Sequence, residues 1–98
     1  MPTIPEGCAH NAHMFYIKLA NLKERSRFIE HMRAAEVLAI FHYVPLHTSI
    51  AGAAYGRFHG EDRFTTVESE RLVRLPLYYN MSDDTQSTVI RAALRFFA

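Results

Sequence analysis

The sequence predicts an α+β domain in which helices cover a small three-stranded mixed sheet, in the order β-α-β-α-β-α. Three observations carry that expectation. Three segments open with helix-capping residues and continue with helical periodicity, and three short apolar runs rich in branched and aromatic residues alternate with them. The third is length: 98 residues leave room for one core only. A chain of this size buries about 60–65% of its unfolded surface, enough for a modest core without disulfides or metals.

"HMFYIKLA" (13–20) is apolar on both faces, the pattern of a strand covered on both sides, so a central position is expected. "NLKERSRFIEHMRAAEV" follows as a helix. Asn21 is a good N-cap with Glu24 at the third helical position, a capping box, and Leu22, Phe28, Ile29, Met32 and Ala35 form the apolar stripe. "VLAIFHYVPL" (37–46) is an unbroken apolar run ended by Pro45 and reads as the second strand. A strand–helix–strand crossover of this length makes the two strands parallel.

"HTSIAGAAYGRFHGEDRF" places Gly52, Gly56 and Gly60 four residues apart. With Arg57, His59, Glu61 and Asp62 among them, it reads as a long mobile loop rather than a membrane helix, and such loops often bind something. "TTVESERLVR" opens with a second capping box, Thr65 with Glu68, and predicts a short helix with Val67, Leu72 and Val73 inward. "LPLYYN" (75–80) reads as a short strand that Pro76 demotes to an edge, antiparallel to the others. "SDDTQSTVIRAALRFFA" begins with Ser82 as N-cap and two acidic residues at the positive end of the helix dipole. Its inward face is read as Val89, Ile90, Ala93, Leu94 and Phe97, with Arg91 and Arg95 outward. "PTIPEGCAHN" has no periodicity. The organisation is therefore a linker over 1–12 and one domain over 13–98.

Composition narrows the function. The formal net charge is +1 with both signs mixed, which argues against nucleic acid as a partner, since that needs a basic stripe. No apolar run reaches membrane-spanning length, so no membrane partner is expected. Cys8 is the only cysteine and nothing points to an oxidising compartment; cytoplasmic is the default localisation.

Candidate chemistry is sparse. His10-x-x-His13, the pair His42 and His47, and His59 lack the accompanying Cys pair, H-E-x-x-H motif or acidic cluster of a metal site, so no metal is expected. Cys8 and Ser49 do not sit in a nucleophile-elbow pattern. The two lysines, Lys18 on a strand and Lys23 in a first helical turn, read as solvated, and Glu61-Asp62 and Asp83-Asp84 as a loop and a helix start. What stands out is "FHYVPLHTS" (41–49), which puts His42, Tyr43 and His47 at the end of an apolar run. Two readings stay open: a strand end whose polar tips reach water, or a recognition edge whose imidazole and phenol groups hydrogen-bond phosphate or sugar hydroxyls.

"HNAHMFYIKL", "FHYVPLH", "FHGEDRFTTVESERLVRLPLYYNMS" and the closing helix, in that order, resemble the C-terminal end of the DegT/DnrJ/EryC1/StrS sugar aminotransferases. Within the family the likeness is greatest to members that aminate a TDP-4-keto-6-deoxyhexose. The resemblance implies the small C-terminal domain of the type I aminotransferase fold. It also implies pyridoxal phosphate as cofactor, glutamate as amino donor, a nucleotide-sugar substrate and a homo-oligomer with active sites at the dimer interface. The family's cofactor lysine, the acid facing the pyridine nitrogen and the phosphate-binding segment belong to its large N-terminal domain. The expectation is thus a fragment that carries His42, Tyr43 and His47 on the substrate side, has no catalytic residue, binds no cofactor alone and is inactive in isolation. The rival expectation is a non-enzymatic dimerisation or small-ligand-binding module.

Overall fold

The computed structural model describes residues 3–98. The chain forms β1 (Phe15–Lys18), α1 (Leu22–Ala34), β2 (Ile40–Phe41), a 3-10 turn (Leu46–Thr48), α2 (Ile50–Tyr55), α3 (Thr65–Arg71), β3 (Leu72–Leu75) and α4 (Asp83–Phe97). The α+β class and the three-stranded sheet are as expected, but the sheet is antiparallel throughout and not mixed. β3 lies in the centre, pairing Ile17 opposite Val73 on one side and Phe41 opposite Val73 on the other. β1 and β2 do run in the same direction, yet they never meet. A helix about 10–12 Å across spans two strand spacings of about 4.8 Å, so the α1 crossover leaves room for β3 between them, and α1 packs over it.

Two strand positions are therefore exchanged relative to expectation. The "HMFYIKLA" strand sits at an edge. The third strand begins at Leu72, directly after α3, and ends before Pro76, so each of its residues keeps an N–H for the ladder. Leu72 and Val73, read as helical, are strand residues. In the 37–46 run only Ile40 and Phe41 pair; Tyr43 turns into the left-handed region at φ 65° and ends the strand before Pro45 is reached.

The helix termini follow local chemistry more closely. Asn21 Oδ1 accepts from Glu24 N–H at 3.0 Å, and Glu24 Oε2 accepts in return from Ala20 N–H at 2.6 Å, one residue before the N-cap. Ser82 Oγ accepts from Thr85 N–H at 3.2 Å and starts α4 as read. Thr65 does not cap α3: Phe64 holds that position without a side-chain bond, and Asp62 further upstream accepts from Thr66 N–H at 3.3 Å. The expected mobile loop contains a helix, α2, whose first turn Ser49 caps by accepting from Gly52 N–H at 3.0 Å.

The core lies between one sheet face and the helices α1 and α4. Phe28, Met32 and Val73 are fully buried, with Leu19, Val37, Ala39, Val89 and Ala92 around them and Ile17, Ile29, Leu75 and Phe96 at the margin. Leu22 and Ala35, assigned to the α1 stripe, are exposed. On α4 Val89 is buried and Ala93 packs against the core as expected, but Ala92 is buried too while Ile90, Leu94 and Phe97 stand largely in solvent, so the inward face is rotated in part from the expected one. The opposite sheet face carries Tyr16, Leu72, Arg74 and Ile40, none of them buried. No helix is long and apolar enough to cross a membrane among the described residues.

Candidate functional site

The stretch from His42 to His47 sits where β2 leaves the sheet. The left-handed Tyr43 is held there by α3, whose Ser69 Oγ donates to the Tyr43 carbonyl at 2.7 Å. The turn leaves the Tyr43 ring two-thirds exposed, 4.8 Å from the His42 ring and 5.9 Å from the Arg74 guanidinium carbon. His42 is half-buried, and its Nδ1 is buried without a hydrogen-bond partner. The Arg74 side chain projects from the central strand and forms no ion pair or hydrogen bond among the described residues; its Nε is also buried and unpartnered.

His47 belongs to a second group. The 3-10 turn after Pro45 directs its ring to the segment before α3, where Nε2 lies 2.7 Å from Asp62 Oδ2 and the ring packs on Phe58 at 4.3 Å. Thr66 Oγ1 donates to the same Asp62 oxygen at 2.5 Å and lies 3.4 Å from His47 Nε2. The Thr66 hydroxyl is the main cause that holds the Asp62 carboxyl below its ordinary value of 3.8, with the His47 hydrogen bond, the Thr66 N–H and the His47 charge adding to it against partial desolvation. An ionised Asp62 requires a donor at Nε2. With Nε2 as the donor, Nδ1 is the ring atom left for a ligand.

The structure thus brings His42 and Tyr43 together and assigns His47 other partners. No hydrogen bond or ring contact joins the two groups among the described residues. Sequence reasoning assigned Asp62 to a loop and missed Phe58, Thr66, Ser69 and Arg74 as site residues. Asp62 and Thr66 are spaced four apart around a helix start, which is a readable side-chain-to-backbone signal, but their meeting with His47 depends on the fold between them.

The other candidates are occupied locally. His10 Nδ1 accepts from Ala12 N–H and His13 Nδ1 lies 2.8 Å from Asn11 Oδ1. No group of three or more His, Cys, Asp or Glu residues is arranged to hold a metal ion among the described residues. Ser49 Oγ donates to Leu46 O and accepts from Gly52 N–H, which uses it as a cap.

Compared with known protein families, residues 1–94 match the model of the DegT/DnrJ/EryC1/StrS aminotransferase family. The chain belongs to this family. It is also 30% identical over 95 residues to "uncharacterized protein MJ1066" of Methanocaldococcus jannaschii, a match covering 93% of the chain and 25% of that protein. The chain spans about a quarter of the length of the curated relative it matches.

Members of the family are in general pyridoxal phosphate enzymes that act on sugars, and the side chains to test against that cofactor are the two lysines. Lys18 is on the edge strand with Nζ 2.6 Å from Glu68 Oε2, and this contact, with Arg71 behind it, lowers the Glu68 carboxyl from 4.5. Lys23 is exposed in the first turn of α1. Neither lysine, nor any acid to face a pyridine nitrogen, lines the two clefts that open beside β3.

Proposed function

We propose that this chain is the small C-terminal domain of a pyridoxal phosphate-dependent nucleotide-sugar aminotransferase. In that enzyme an amino group passes from glutamate to a TDP-4-keto-6-deoxyhexose, chemistry that serves surface polysaccharides such as the enterobacterial common antigen and lipopolysaccharide. On this reading residues 13–98 are the domain and 1–12 the linker into it. His42, Tyr43 and His47 face the substrate, and the cofactor and its lysine come from the large domain. Family membership over residues 1–94 is the observation that carries the reading. The "HYVPLH" and "SERLVRLPLYYN" motifs support the substrate class.

Surface area supports a domain built to pack against more protein. The chain exposes 7917 Å² where a compact monomer of 11.3 kDa exposes about 5,700 Å², and its radius of gyration is 15.7 Å against about 13 Å. Leu46, Ile50, Tyr55 and Tyr79 are each more than four-fifths exposed, an apolar load unusual for a free-standing domain. The same surface favours the rival reading for the isolated chain, a dimerisation or ligand-binding module with no catalysis of its own.

The test is a chimera in which this chain replaces the C-terminal quarter of a family enzyme that aminates a TDP-4-keto-6-deoxyhexose. The expected result is recovered glutamate-dependent amination that drops at least tenfold with His47→Ala while the cofactor absorption band remains. A folded chimera that holds its cofactor but leaves the TDP-sugar untouched sinks the proposal.

A further inference from the structure

The uncovered face of the sheet carries a cation with nothing to neutralise it. Arg74 occupies the middle of the central strand, flanked in register by Tyr16 on β1 and Ile40 on β2. The chain's other strand and helix-end cations near it are used: Lys18 and Arg71 both pair with Glu68, and Arg71 also donates to the Leu19 carbonyl at 2.9 Å. Arg74 is half-buried, yet it has neither a carboxylate nor a carbonyl within reach among the described residues. Beside it opens a cleft of about 390 Å³ that it lines together with His13, Met14, Ile40 and Tyr78, and no acidic residue is among the lining.

Three features suit this place to a ligand with an oxyanion. A guanidinium presents a planar fork of N–H donors that matches a carboxylate or phosphate two bonds at a time, and partial burial strengthens such a bond. The Tyr43 ring, 5.9 Å from the guanidinium carbon, forms an aromatic wall on one side of it. The left-handed backbone at φ 65° and the Ser69 bond on the Tyr43 carbonyl set the backbone from which that ring projects. Apart from Arg74 and His13, the cleft, which Tyr43 does not itself line, is walled by apolar residues and Tyr78, which favours an anion carried on a larger body over a simple ion.

We propose that Arg74 anchors the oxyanion of a small organic ligand, with Tyr43 as the stacking wall, on the sheet face opposite α1 and α4. The oxyanion is a carboxylate or a phosphate; on the functional reading above these correspond to the amino donor and to the diphosphate of the nucleotide sugar. The identity of the ligand rests on that reading, but the binding of an oxyanion does not, because it is measured on this chain without cofactor or turnover.

The experiment titrates the ¹⁵N-labelled chain with sodium glutamate, thymidine diphosphate and inorganic phosphate, each against sodium chloride at matched ionic strength. The Arg74 Nε–H and Tyr43 amide signals are followed by NMR. A saturable shift of the Arg74 signal is expected with glutamate or thymidine diphosphate and not with chloride, and the organic anion that produces it names the source. Arg74→Gln should weaken binding, read at Tyr43, at least tenfold. Arg74→Lys, which keeps the charge and the strand but loses the fork, should weaken it severalfold. Absence of a saturable shift with both organic anions overturns the proposal, as does an unchanged Tyr43 titration in Arg74→Gln or a response to glutamate and thymidine diphosphate matched by chloride. The chimera can aminate its sugar when this titration fails, and the titration can succeed when the chimera does not.

Discussion

Phe28→Ala should remove much of the stability of this domain. Phe28 is fully buried, its ring 5.1 Å from Phe96 in an edge-on contact and 5.9 Å from Phe97, so truncation removes the side chain that couples α1 to α4. Burying a phenyl ring and then leaving its space empty costs about 3–5 kcal/mol, with about 0.5–1.5 kcal/mol of that order attached to an aromatic pair. Because the domain's surface is large for its mass, collapse of neighbours into the gap should be partial, and about 4 kcal/mol is a central figure. For a domain of this size about 4 kcal/mol lowers the midpoint of thermal unfolding by roughly 16–30 °C, and total stabilities run at about 5–15 kcal/mol. Thermal and urea unfolding followed by circular dichroism measure it, with Leu94→Ala as the comparison. Leu94 is 63% exposed and should cost below about 1 kcal/mol despite its size. Equal losses for the two variants would refute the α4 packing face.

Acid should loosen the domain through Asp62 and Glu68. Both carboxyls are held below their ordinary values of 3.8 and 4.5, so their contribution is fully present above those values and lost as pH falls through the lower folded ones. Asp62→Asn should flatten the pH dependence of the urea midpoint in that acid range and lower the midpoint near neutrality, where the ionised carboxylate contributes in full. Gly52→Ala should unravel α2 alone, since an added Cβ would lie 1.6 Å from the Leu46 carbonyl oxygen; loss of amide protection over 50–55 with an intact Phe28 and Val73 environment is the expected NMR result. Ser82→Ala should cost about 1 kcal/mol by removing the α4 cap, read as a lowered urea midpoint with an unchanged slope. Added pyridoxal phosphate should give the same absorption spectrum with wild type and Lys18→Ala, because Lys18 is held by Glu68 outside any cofactor cradle; a band that depends on Lys18 would contradict this.

The helix starts at Asn21 and Ser82 were legible because a cap is a bond between residues three apart, and three adjacent residues carry all of its chemistry. The family could be read for a related reason: "FHYVPLH" and "SERLVRLPLYYN" are local strings whose residue types and order survive without knowledge of the fold. The class, with strands and helices alternating, followed from periodicity.

What the sequence left undecided is which strand would be in the middle and which faces would be covered. An apolar run looks alike at an edge and at the centre, so "HMFYIKLA" gave no sign that β3 would insert between β1 and β2. The same holds for α4, which is apolar around more than half its circumference: only packing against Phe28 and Val73 selects Val89 and Ala92 over Ile90 and Leu94. The candidate site divides along the same line. His42, Tyr43 and His47 stand out as residue types, but their partners Asp62, Thr66 and Arg74 lie 15, 19 and 31 residues away from them, in the pairs His47–Asp62, His47–Thr66 and Tyr43–Arg74. Contacts at that range exist only after the chain has paid the entropy of closing its loops, and so they are written in the tertiary structure alone.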